Sequence, residues 1–105
     1  MKEPSVDNVP ILDVGETLTV HQIIEKHSKW MHLLKKQEII IDATHLHQVD
    51  VAGLQLLEYY IGTIESNQGK IYWKATPSEK LIHKAACTGM SHLIFTLHSS
   101  KELRM

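Results

Sequence analysis

Two aspartates and the histidine-bearing loop between them are the groups in this chain whose types and spacing could support chemistry. Asp42 closes the run EIIID, Asp50 precedes VAGL, and His45 and His47 lie between them. Paired carboxylates can divide acid and base roles or hold a divalent cation, and imidazole is the commonest ligand for zinc and its neighbours. Eight histidines in 105 residues invite a metal reading, but the spacing does not carry it. His27 and His32 lie five apart, off a common helical face, and no HExxH or paired-cysteine pattern is present. Only His45-Leu46-His47 is local enough to chelate, and it has no obvious third ligand. No lysine stands beside the aspartates as in a phosphoryl-transfer receiver, no glycine-rich phosphate loop precedes the helix, and no serine or cysteine is placed as a nucleophile. The residues therefore predict no catalytic site, metal or cofactor, with Asp42 serving loop amides and Asp50 capping a helix. A metal-dependent enzyme built on the histidines and the two aspartates stands as the competing reading.

Composition narrows the remaining classes. Eleven Lys and Arg against twelve Asp and Glu give a net charge of −1, which is no electrostatic footprint for nucleic acid or an anionic membrane. Cys87 has no second cysteine to pair with, and no apolar run approaches the roughly 20 residues of a membrane span. The opening MKEPSVDNVP is polar and broken by prolines, unlike a signal peptide. These features predict a soluble, cytoplasmic protein with a single domain over residues 1–105.

The elements that must position the aspartates follow from periodicity. VPILDV before Gly15 reads as a strand and turn. Val20, Ile23, Ile24, His27, Trp30, Met31 and Leu34 recur at spacings of three and four, predicting one apolar face of a helix from Thr19 to Lys35 or Lys36. Ile39, Ile40 and Ile41 form a β-branched run suited to a strand buried on both faces. A loop, THLHQVD, leads to a second helix over 51–67, with Leu54, Leu57, Ile61 and Ile64 facing the core and Gln55, Glu58, Gly62 and Glu65 facing water. Gly53 in its first turn, beside the small Ala52, lets another backbone come close. KIYWKA alternates so that Ile71, Trp73 and Ala75 share one side of a strand. Thr76 as N-cap, Pro77 and Glu79 predict a capping box opening a third helix that runs to Thr88 and stops at Gly89. LIFTL reads as a final strand, and the last residues, about 99–105, as a short terminal helix. Alternating strands and helices predict an α/β domain with a mixed or parallel sheet of about four or five strands and helices mainly on one face. In such sheets partners meet the crevice past the carboxyl ends of the strands, where the segment 43–50 falls.

Read together, GETLTV, IIIDAT, VDVAGLQLL and AACTGM resemble the STAS domain, the module shared by bacterial anti-sigma factor antagonists and the cytoplasmic tails of sulfate transporters. The resemblance spans about residues 9–95, and DVAGL is its most specific part. It implies a non-catalytic protein-binding module of bacterial signalling and transcription regulation by partner switching. In the antagonists a serine or threonine commonly follows the loop aspartate, and a partner kinase, itself the anti-sigma factor, phosphorylates it to release the complex. Here Val51 occupies that position and Ala52 follows, so neither can accept a phosphate. Thr44 is the nearest hydroxyl in the loop. The implied contact surface is His45, His47, Gln48, Asp50, Val51, Ala52, Gln55 and Glu58, and the implied partner is an anti-sigma or serine-kinase-like ATPase or a chemotaxis-type regulator. Resemblance to the STAS subunit of bacterial phospholipid exporters implies an alternative, a soluble subunit regulating an ABC transporter.

Overall fold

The computed structural model describes residues 9–90 and 102–103. Strands β1 (Ile11–Asp13), β2 (Thr17–Leu18), β3 (Glu38–Asp42), β4 (Gln48–Val49), β5 (Lys70–Lys74) and β6 (Glu102–Leu103) alternate with helices α1 (Ile23–Trp30), α2 (Val51–Ser66) and α3 (Glu79–Thr88). The main sheet has the order β1-β3-β5-β6, and β2 pairs with β4 in a second sheet of two strands. Every described pairing is parallel, with Ile11 opposite Ile40, Ile39 opposite Ile71 and Leu18 opposite Val49.

The isoleucine run explains why β3 is central. Ile39 and Ile41 point into the main core with Ile71, Trp73 and the buried face of α2, whereas Ile40 points the other way into a small cluster with Val9, against which Tyr72 packs. One alternation therefore feeds two apolar faces, as a strand with parallel neighbours on both sides requires. On α2, Leu54, Leu57, Ile61 and Ile64 are fully buried as the periodicity predicts, and so is Tyr60. Full burial of such side chains stabilises the fold by about 1.5–3 kcal/mol each.

The first helix departs from its predicted face and length. The α-helix covers only Ile23–Trp30 and tightens into a 3₁₀ turn over Met31–Lys35. Val20, Ile24 and Met31, predicted to face the core, are exposed, while Trp30 and Leu33 are buried. The cause is Lys26. Its Nζ donates to the carbonyl oxygens of Val14 and Thr17, so a lysine stem occupies the inner face and turns Ile24 outward. Burial lowers the Lys26 pKa, a shift only partly opposed by the charges of Asp13 and Glu25. His27 is half-buried on this inner face, with Nδ1 2.8 Å from Tyr60 Oη, and the Tyr60 hydroxyl also reaches the His27 carbonyl at 3.1 Å.

Three further boundaries are corrected. Thr76 is not the N-cap of α3. Ser78 is, its Oγ accepting from the amides of Lys80 and Leu81, because Ser78 N is itself pinned to Ala43 O at 3.0 Å. Ala75 does not continue the face of Ile71 and Trp73, since its φ of 54° ends β5 at Lys74 and leaves it exposed. Glu102 and Leu103, read as part of a terminal helix, instead pair with Trp73 and Lys74. LIFTL lies outside the described residues. The end of α3 is as predicted: Gly89 has φ 69°, a left-handed conformation that suits glycine at a helix C-terminus.

Candidate functional site

Asp50 forms the junction between β4 and α2. Its backbone N–H donates to Leu18 O at 3.3 Å, while Oδ2 accepts from Val20 N and Oδ1 from Gly53 N, both at 2.9 Å. One carboxylate thus caps α2 and ties it to the segment entering α1. Desolvation pushes this carboxyl up, but the amides of Val20 and Gly53, its own N–H and the charge of His21 outweigh it, and the net pKa lies below the ordinary aspartate value.

Gly53 makes the junction sterically feasible. A Cβ there would land on the Leu18 carbonyl, with Leu18 Cγ at 2.8 Å and Leu18 C at 2.9 Å. The close backbone approach inferred from the sequence is therefore made by β2. That strand was not expected, and neither was its partner β4, which occupies Gln48–Val49 of the segment read as a loop. Two-residue strands carry too little periodicity to stand out in a sequence.

Asp42 is a separate station. It closes β3, accepts from Thr44 N at 3.1 Å and Thr44 Oγ1 at 2.7 Å, and pairs with Lys74 Nζ at 3.7 Å. A lysine from the end of β5 therefore does stand beside this aspartate, contrary to the sequence reading, because the parallel pairing of β3 and β5 brings their carboxyl ends together. Desolvation raises its pKa, yet the Thr44 donors, then Lys74 and His45, hold it below the usual range. Among the described residues the two aspartates share no hydrogen-bond or ion-pair partner. Thr44, the nearest hydroxyl of the loop, is half-buried and donates its Oγ1–H to Asp42.

The sequence-predicted contact residues come together at the sheet edge and the start of α2. His45, His47, Gln48, Val51 and Gln55 are exposed, and Asp50, Ala52 and Glu58 half-buried. His47 Nε2 lies 3.6 Å from Glu16 Oε1. Among the described residues no group of three or more His, Cys, Asp or Glu side chains is placed to hold a metal ion.

Beside Val51, already read as part of this surface, the sequence reading missed three apolar members, Val20, Ile24 and Tyr59. Val51 is 43% exposed, Val20, whose amide is bonded to Asp50, 53%, Ile24 one turn beyond 81%, and Tyr59 53%. Val51, Gln55 and Tyr59 recur every fourth residue along α2, and the Tyr59 ring packs edge-on against His27 of α1. The signal was available in two places. Tyr59 and Tyr60 are adjacent, so one had to face out, and the stripe assigned to α1 spanned both flanks of the helix, so that one of them had to be exposed.

Comparison with known proteins gives one finding. The family model of the STAS domain matches residues 3–103. No curated protein and no solved structure matches the chain. Among the described residues, no helix is long and apolar enough to cross a membrane.

Proposed function

Because the chain belongs to the STAS domain family, we propose that it is a non-catalytic, cytoplasmic protein-binding module of bacterial signalling, docking a regulatory ATPase of the anti-sigma or chemotaxis type through the start of α2. The observation that carries this reading is the exposed apolar set Val20, Ile24, Val51 and Tyr59 on and beside the two helices joined through Asp50, whose two carboxylate oxygens each accept from a backbone amide. Val20 and Val51 lie beside Asp50, and Ile24 of α1 and Tyr59 of α2 extend the exposed apolar surface along two adjoining helices. Such a concentration is a feature of interaction surfaces, whereas scattered single apolar residues are ordinary. The polar rim is supplied by His45, His47, Gln48, Asp50, Gln55 and Glu58, with the small Ala52 between them.

Val51 makes the contact constitutive with respect to phosphorylation at this turn. An isopropyl group takes no phosphate, and each carboxylate oxygen of Asp50 accepts from a backbone amide. The module is thus a STAS domain that has kept the docking geometry and dropped the switch.

Affinity capture from the organism's lysate with wild-type protein and a Val51→Asp variant, followed by mass spectrometry, tests the reading. A signalling ATPase enriched by the wild type and lost by the variant is expected, since a carboxylate in an apolar contact opposes docking. Equal capture by both would move the contact elsewhere. Joint recovery of a transporter ATPase and its permease would favour the regulatory subunit of an ABC exporter.

A further inference from the structure

A second concave surface lies beside the β4 end of the site, between β4 and α3. It encloses about 260 Å³ and is lined by His47, Gln48, Val49, Lys80, His83 and Lys84. Two ammonium groups, two imidazoles and one amide thus border a groove beside Val49, which is 9% exposed. The walls are fixed independently of any ligand. Gln48 and Val49 are held in register by β2, Leu81 and Ala85 bury the other face of α3, and the Ser78–Ala43 hydrogen bond anchors the helix start. His83 Nε2 lies 3.4 Å from Cys87 Sγ one turn along α3.

Charge is the unusual feature. In a chain of net charge −1, no carboxylate of the described residues forms an ion pair with Lys80 or Lys84; the nearby acids are Glu16, beside His47, and Glu79, which precedes Lys80 on α3. Two like ammonium charges one helical turn apart repel each other mildly, and an anion between them would turn that cost into attraction.

We infer that this groove is a binding site for a small phosphate monoester. A phosphoryl group carries about 1.5 to 2 negative charges and three strong acceptor oxygens, which matches two ammonium groups flanked by further N–H donors. A carboxylate would bring one charge and two oxygens to the same donors. The volume lies just below the roughly 300–1,000 Å³ of drug-sized pockets, which selects a compact ester.

The test is an amide-detected NMR titration of the full chain, at low ionic strength, with inorganic phosphate, O-phosphoserine and acetate. Phosphate and phosphoserine are expected to saturate, with shifts confined to residues 47–49 and 80–84. Lys80→Gln/Lys84→Gln should weaken phosphoserine binding about tenfold or more, as loss of hydrogen bonds to a charged group implies, with Lys80→Gln alone falling between. Lys29→Gln, on the exposed side of α1, should bind as wild type. Any of four results would overturn the site: shifts that never saturate, shifts spread equally over Lys29, Lys35 and Lys70, unchanged affinity in the double variant, or acetate binding as tightly as phosphoserine. A phosphoserine peptide binding about tenfold tighter than the free amino acid would overturn the small-ester assignment. Val51→Asp lies outside the groove and should titrate as wild type, so failure here is separable from failure of the docking surface at α2.

Discussion

Gly53→Ala should destabilise this protein severely, although alanine is the best helix former. In an unconstrained helix interior the change would gain about 1 kcal/mol. Here the added methyl meets the Leu18 carbonyl, with two further Leu18 atoms closer than 3.0 Å, and the obstacle is backbone held in the β2–β4 ladder. Relief requires α2 and β2 to separate. That costs about 1–3 kcal/mol in overpacking, at the upper end because backbone must move, and about 1 kcal/mol more as the Asp50 N–Leu18 O hydrogen bond opens. Set against the propensity gain, the net loss is about 3 kcal/mol, or roughly 12–24 °C in Tm for a domain of this size. Urea unfolding of wild type, Gly53→Ala and Gly89→Ala measures it. Gly89 has no neighbour within 4 Å of an added Cβ, so its variant bears only the left-handed backbone penalty of about 1–2 kcal/mol. A Gly53→Ala protein within about 0.5 kcal/mol of wild type, or more stable, would refute the packing of α2 on β2.

The other expectations concern the same junction and its surroundings. Asp50→Ala should cost about 0.5–2 kcal/mol for the lost cap, read by urea unfolding. Because Asp42 and Asp50 titrate below their ordinary value, their contribution is complete above about pH 5 and is lost as pH falls through about 3.9 toward the depressed folded values; Asp50→Ala should flatten that acid limb. Burial, aided by Tyr59, pushes the Tyr60 phenol up to about 12. The stability it confers is present below about pH 10 and declines as pH rises toward 12, so Tyr60→Phe should remove this alkaline slope. Val51→Asp should leave the melting temperature nearly unchanged or slightly raised, because a carboxylate in the exposed first turn complements the helix dipole.

The parts of the fold legible in the sequence were those written in strong local signals. Ile39–Ile41, the α2 stripe, the Asp50 cap and the Gly89 stop each combine residue type with position, and each stands in the structure as read. The illegible parts depended on partners distant in sequence. Lys26 faces inward because the Val14 and Thr17 carbonyls are there to receive it, and no periodicity count anticipates an inward lysine. Ser78 displaced Thr76 as the cap because Ala43 holds its amide, and β2 and β4 exist only as each other's partner. At the site, the junction itself, with the Asp50 cap and the close approach at Gly53, was visible in the DVAGL stretch. The apolar members Val20 and Ile24 were assigned to the core, since exposure follows from how α1 is rotated rather than from its composition.

The most direct measurement of the central claim is the affinity of the captured ATPase for wild-type protein and for Val51→Asp, each before and after incubation with magnesium and ATP. Wild-type affinity unaffected by ATP and weakened about tenfold or more by the aspartate is what the account predicts. Equal affinities for the two proteins, or release of the wild type with a phosphate mapped to residues 44–52, would contradict it.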